Sequence, residues 1–212
     1  MPKGRPELIE RRKKEILDAC EQTYRAVGFY GVTIKGIGEQ LSMTRSSIYN
    51  YFQTKEEILL GLMVREYWAW LEELAPIVER AKTATREELA DFIASTFSKR
   101  DVLLRLFSTN LSAIEQHCRV ERLVELKKAY MRLQQILNSM LNAYESRLTQ
   151  QAREDFILLF TGFALGAYPI SHQTEKQDAA MTRAGGKVPT RDIYYVWREF
   201  LTRVMPKREL DD

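Results

Sequence analysis

The chain has 212 residues, 45% of them hydrophobic, enough for one large domain or for a small domain joined to a larger one. Its net charge is only +3, and its two cysteines, Cys20 and Cys118, stand far apart with no Cys-x-x-Cys pair, which excludes a disulfide-stapled scaffold and points to a reducing compartment. The opening MPKGRPELIERRKKEI lacks the apolar core of a signal peptide, and no uncharged apolar run reaches the roughly 18–20 residues of a membrane span, so a cytoplasmic protein without a membrane partner is expected.

The charge is unevenly spread. Residues 1–55 hold ten Lys/Arg against six acids, whereas the rest holds 22 basic and 23 acidic side chains. A polyanion partner requires such a local surplus; a solvated basic helix without a partner is the alternative. Lys3 and Arg5 form a basic arm, and Pro6 marks the start of a helix running to about Val27. Ile9, Ile16, Cys20, Tyr24 and Val27 make its buried stripe, with Gly28 at the C-terminal cap position. Thr33 then caps a second helix carrying Ile34, Ile37 and Leu41, and Ser42-Met43-Thr44 breaks it.

A third, short helix runs from Thr44 to about Phe52. Ile48 and Phe52 share one face; Arg45, Ser46, Ser47, Tyr49 and Asn50 occupy the other. A helix this short, exposing hydroxyls, an amide and a guanidinium, is poorly built for a core and well built for a DNA major groove. Phosphates would be held by Thr33, Lys35, Tyr49 and Lys55, and base edges met by Thr44, Arg45, Ser46, Ser47 and Asn50. Tyr51 either packs or grips a phosphate.

The pattern Thr33, Ile37-Gly38, Leu41-Ser42-Met43-Thr44, Ile48-Tyr49, Tyr51-Phe52, Lys55-Glu56 resembles the helix-turn-helix of the tetracycline-repressor (TetR) family of bacterial regulators. It departs from that family at Gly38, usually Ala, at Ser42, usually Gly, and at Ser46, often Gly. The change at Ser42 matters because Gly tolerates positive φ and Ser does not. The resemblance covers about the first quarter of the chain. It implies that Tyr49 and Lys55 grip the backbone and that residues Thr44 to Ser47 enter the groove.

Beyond Thr54, the N-cap of a connector helix reaching about Arg80, the pattern stays helical. Pro76 kinks or ends the connector. Helices follow at Arg86–Phe97, Asp101–His117, Glu121–Arg147, Gln151–Tyr168, stopping near Pro169, and Thr190–Val204. The polar stretch from His172 to Pro189 is functional, mobile or partly helical. No strand pattern occurs. The expected fold is all-α: a helix-turn-helix DNA-binding domain over residues 1–53 and a helical ligand-binding and dimerisation domain over residues 54–212.

Gly162-x-x-x-Gly166 lets another helix approach closely, within the subunit or across a dimer. With the resemblance, the expectation is a twofold homodimer seam using Phe160, Gly162 and Gly166 together with Trp197 and Leu201 of the last helix. The resemblance also implies a cavity for a small-molecule inducer, with Tyr67, Trp70, Phe107, Asn110, His117, Tyr130 and Phe163 as candidate lining. Asn110 and His117 are chosen as polar interruptions of apolar faces. His117-Cys118 with Glu115 and Glu121 does not make a metal site, because adjacent side chains diverge on a helix. The two histidines, His117 and His172, have no nucleophile elbow, phosphate loop or carboxylate pair beside them, which argues against an enzyme, and no cofactor is expected.

The reading is a ligand-responsive repressor that binds a double-stranded palindromic operator as a homodimer. The alternatives are a helical scaffold with a vestigial motif, or a regulator answering to a protein partner.

Overall fold

A computed structural model describes residues 6–188 and 191–208. The Lys3 and Arg5 arm, Thr190 and the terminal Asp-Asp lie outside the described residues. Eleven helices and no strand occur among those described: α1 (Pro6–Gly31), α2 (Ile34–Leu41), α3 (Arg45–Tyr49), α4 (Lys55–Leu74), α5 (Ile77–Arg80), α6 (Arg86–Phe97), α7 (Asp101–Gln116), α8 (Val120–Tyr144), α9 (Gln150–Ser171), α10 (Glu175–Arg183) and α11 (Ile193–Val204). They gather into two compact units. One holds the residues up to Trp68 together with Asn110–Ala129; the other holds Ala69–Thr109 and the residues from Tyr130 onward.

In the first unit α1 buries Ile16, Ala19, Cys20 and Tyr24. Val27, expected in that stripe, is 58% exposed instead. Gly28 adopts φ 67° and ψ −174°, so the chain leaves the helical path just after Val27 and the stripe ends one turn early. Arg65 of α4 ties α1 in place, its two terminal nitrogens donating to Asp18 Oδ1 and Glu21 Oε2, each at 2.6 Å. Val32, Ile37, Ile48 and Phe52 form the buried centre beneath α2 and α3.

The turn between α2 and α3 is a Schellman motif. The N–H of Met43 donates to the Gly38 carbonyl at 2.9 Å and that of Ser42 to the Glu39 carbonyl at 3.5 Å, with Ser42 left-handed at φ 51°, ψ 35°. A Cβ on Gly38 would stand 2.7 Å from the Met43 carbonyl oxygen. The backbone folds back so closely that this position takes glycine where the resembling family has alanine.

The second unit is centred on aromatic rings. Trp197 of α11 meets Phe97 of α6 at 4.6 Å and Phe160 and Phe163 of α9 at 5.1 and 4.9 Å. Trp70 stacks on Phe97 at 4.2 Å and donates its indole N–H to Thr96 Oγ1 at 3.2 Å. The connector ends sooner than expected: α4 stops at Leu74 and Pro76 N-caps the separate short α5. Conversely, α9 continues through Pro169 to Ser171. Pro169 lies so near the end that few turns remain to be broken, and Ser171 Oγ donates back to the Tyr168 carbonyl at 3.2 Å. The polar stretch before α11 is partly helical: Thr174 and Gln177 form a capping box for α10.

Ser42 carries a steric cost in the left-handed region, so Ser42→Gly should stabilise the protein by about 0.5–1 kcal/mol in denaturant titrations. Gly38→Ala should destabilise it despite alanine's better helix propensity. Acid tests the ion pairs. Burial raises the Asp18 pKa, but hydrogen bonds from Lys14 and Arg65 outweigh it, and Arg100 and Lys99 do the same for Glu73, so both carboxyls lie below their ordinary values. Their stabilisation is complete above the unfolded pKa of roughly 4 and drains as pH falls through the lower folded values, which denaturation midpoints followed down to about pH 3 should record.

Candidate nucleic-acid interface

Two threonine caps frame the interface. Thr33 Oγ1 accepts from the N–H of Gly36 at 3.0 Å, and Thr44 Oγ1 accepts from that of Ser47 at 3.2 Å while sharing a hydroxyl hydrogen bond with Ser47 Oγ at 2.9 Å. A cap oxygen that accepts from the backbone still has its own proton to donate, which is why hydroxyl caps at helix starts suit phosphates. On α3 only Ile48 is buried. Arg45, Ser46, Tyr49 and Asn50 are exposed and Ser47 is half-buried, so the polar face stands in solvent. Tyr49 is 51% exposed.

The flanking cations differ in freedom. Lys35 is exposed, with Glu39 Oε1 3.5 Å from its ammonium. Lys55 is half-buried; its Nζ lies 3.5 Å from the Phe29 carbonyl oxygen and 4.8 Å over the Phe29 ring. Tyr30, which the sequence pattern did not single out, stands edge-on to that same Phe29 ring at 5.3 Å and is 88% exposed.

Behind α3 lies a second feature hidden from the sequence. Glu57, in the first turn of α4, is 1% exposed, and its carboxylate is surrounded by donors. Arg119 reaches it with Nε at 2.6 Å from Oε1 and Nη2 at 2.8 Å from Oε2, and the backbone N–H of Gln53 donates to Oε2 at 2.8 Å. Arg122 donates from Nη2 to the Tyr51 carbonyl at 2.8 Å and lies over the Phe52 ring at 5.2 Å, while Thr54 Oγ1 donates to the His117 carbonyl at 3.2 Å. The turn between α7 and α8 thus grips the segment that follows α3. Burial pushes the Glu57 pKa up, but the bonds from Arg119 and Gln53 outweigh it and hold the carboxyl below its ordinary value. Burial and the nearby Glu57 push the Cys118 thiol up to about 12, which disfavours its thiolate. Tyr51 is half-buried, and Ile9, Lys13, Tyr49, Asn50, Gln53 and Arg122 line a cleft of about 450 Å³ around it.

The other candidates are placed less as expected. Asn110 is not a free polar group on an apolar wall: in the first unit its Oδ1 accepts from the Tyr24 hydroxyl at 3.3 Å. His117 is exposed, its ring bonded to the Ala113 carbonyl oxygen at 2.8 Å. Tyr67 is buried in the first unit. Trp70 lies in the aromatic centre of the second, where Phe163 stacks on Phe200 at 3.8 Å. Phe107 and Tyr130 are half-buried, and Tyr130 accepts from Gln134 at 3.1 Å beside a surface groove of about 640 Å³ between α8 and α9. Of the seam candidates, Phe160, Trp197 and Leu201 are fully buried inside the second unit, because their rings and branches fill its own core; their side chains are closed to a partner. Gly162 and Gly166 are exposed, and a Cβ on either would meet nothing within 4 Å. Among the described residues, no group of three His, Cys, Asp or Glu is placed to hold a metal ion, and no helix is long and apolar enough to cross a membrane.

Residues 16–62 match the bacterial regulatory proteins of the tetR family, and residues 64–205 match the tetracyclin repressor-like C-terminal domain. The chain is 26% identical to the fatty acid metabolism regulator protein of Bacillus subtilis (strain 168) over 144 residues, 68% of this chain and 65% of that protein's length. Its fold is similar to that of a TetR-family transcriptional regulator from Mesorhizobium loti MAFF303099, with a TM-score of 0.59 at 12% identity over 92% of this chain and 96% of the other. It is also similar to the transcriptional regulator FadR from Bacillus subtilis in complex with stearoyl-CoA, with a TM-score of 0.58 at 15% identity over 92% and 99%.

Arg45→Ala should weaken binding to a duplex recovered from a randomised library by the wild-type protein, by about 1–3 kcal/mol if the guanidinium meets a guanine edge. Lys35→Ala should flatten the salt dependence by about one phosphate contact. Both side chains are exposed, so melting temperatures should hardly move; fluorescence anisotropy over a salt series reads both effects.

Proposed function

Because the chain belongs to the tetR family of bacterial regulatory proteins, we propose that it represses transcription by holding a palindromic operator as a homodimer and releases it when a small-molecule inducer binds. The observation that carries this reading is the exposed polar face of α3, set between two hydroxyl caps and backed by a buried Ile48. Thr33, Lys35, Tyr49 and Lys55 take phosphates, and Thr44, Arg45, Ser46, Ser47 and Asn50 meet base edges. Residues 1–53 form the DNA-binding domain, to which Lys55 at the head of α4 adds a phosphate contact; residues 54–212 hold the inducer and the partner subunit, and the protein works in the cytoplasm, where its operator lies.

A second copy fits the outer face of α9. Leu158, Leu159, Leu165 and Ile170 are between 42% and 70% exposed there, beside the open Gly162 and Gly166. An apolar stripe with small residues lets two helices meet closely and hides surface that water disfavours. Phe160, Trp197 and Leu201 lie buried in the unit's own core and support that face from within. A twofold seam of this kind brings two recognition helices to successive turns of one duplex face.

The inducer class is a long-chain acyl thioester. Support comes from the similarity to a fatty acid metabolism regulator, from the stearoyl-CoA bound by one structural neighbour, and from an interior dominated by Trp70, Phe97, Phe160 and Trp197. Binding shifts the population toward a form that holds DNA poorly. Stearoyl-CoA should lower affinity for the selected duplex about 5- to 150-fold, the range of a 1–3 kcal/mol coupling. Unchanged affinity at saturating stearoyl-CoA would reject this class. Leu158→Glu should give monomers in sedimentation and a large loss of duplex affinity, whereas a dimer of undiminished stability would move the seam elsewhere.

A further inference from the structure

We propose that Arg119 is a positioning residue for DNA binding: by forking onto the buried Glu57 it holds the Tyr51–Thr54 segment, and through that segment the orientation of α3. This rests on the DNA-binding reading above. The recognition helix has five residues, and the chain beyond it has no regular structure until Lys55. Something must fix where that chain goes. Glu57 Oε2 accepts the Gln53 N–H, and so pins the backbone between the two helices.

Glu57 can stay out of water only while its charge is answered. The backbone N–H groups of Gln53 and Arg119, at 2.8 and 3.4 Å, carry no charge to answer a carboxylate 1% exposed; the Arg119 side-chain fork at 2.6 and 2.8 Å supplies it and satisfies both oxygens where they lie. The segment is held at two more points, by Arg122 in the first turn of α8 on the Tyr51 carbonyl and by the His117 carbonyl on Thr54 Oγ1. Those bonds limit how far the segment strays, but neither replaces the acceptor for Gln53. Arg119 itself has both bonding nitrogens turned toward Glu57, so its effect on DNA passes through Glu57.

Three properties separate a positioning residue from a phosphate contact or a structural prop. Arg119→Gln removes the charged fork from a side chain that is 43% exposed, so the fold should survive. It should bind the selected duplex about tenfold more weakly, the scale of one charge-assisted hydrogen bond lost from orientation. Its salt dependence should match the wild type. Arg119→Lys keeps the charge but offers one point in place of a planar fork, and should fall between the two.

Undiminished affinity in Arg119→Gln overturns the assignment. So does a salt dependence flattened by one contact, which would make Arg119 a phosphate ligand. If Arg119→Gln loses its helical circular-dichroism signal, Arg119→Lys decides: wild-type affinity overturns the role of the fork, and weaker binding at the wild-type melting temperature supports it. A wild-type protein that recovers no duplex from the library removes the DNA-binding reading itself, an outcome distinct from any result with the variants.

Discussion

A helix of five residues, as α3 is, closes too few hydrogen bonds to hold itself together in water. The nucleation cost is met only if neighbours fix its ends and one of its faces. Each end of α3 is fixed by a different device. Thr44 caps the start, and the Schellman turn before it aims the cap. Ile48 and Phe52 fasten the inner face to the buried centre. The far end has no cap side chain of its own, and there the buried carboxylate of Glu57 and the turn from His117 to Arg122 take over. This leaves the outer face free of any packing duty, so hydroxyls, an amide and a guanidinium can occupy it without destabilising the fold.

The second unit follows the opposite logic. Its centre is a cluster of stacked, tilted and edge-on rings, with Trp197 paired to four others. Aromatic pairs of this geometry add about 0.5–1.5 kcal/mol beyond the area they bury. The proposed acyl ligand would have to part some of these ring contacts to enter such an interior. Differential affinity between two packings, and not affinity alone, would then set the response.

Much of this architecture is legible in the residues. α6 spans Arg86–Phe97, the range that its apolar spacing predicts, and the cap of α2 falls on Thr33, while α3, expected to reach about Phe52, ends at Tyr49. Periodicity carries these because it reports which face is apolar. It does not report which apolar face meets the same chain and which a partner: α9 is apolar on both sides, so Phe160 and Leu158 look alike in sequence yet one is fully buried and the other 70% exposed. Nor does it mark where Val27 parts from its stripe, since that depends on the backbone angles of Gly28. Glu57 and Arg119 were the least visible. A Glu in a first helical turn already has a reason to be there in the helix dipole, and a partner 62 positions away leaves no local trace.

The size of the proposed coupling bears on how an inducer could act. A shift of about 1–3 kcal/mol is the worth of one or two charge-assisted hydrogen bonds. The contacts that hold the end of α3 are of that kind, and they come from Arg119 in the turn before α8 and Arg122 in its first turn, outside the motif itself. The proposed release from DNA therefore need not melt the recognition helix or move it far. On the proposed reading, loosening one fork on one buried carboxylate would let a five-residue helix sample orientations in which Tyr49 and Arg45 no longer meet the duplex together, and in a twofold dimer the loss would count once for each half-site.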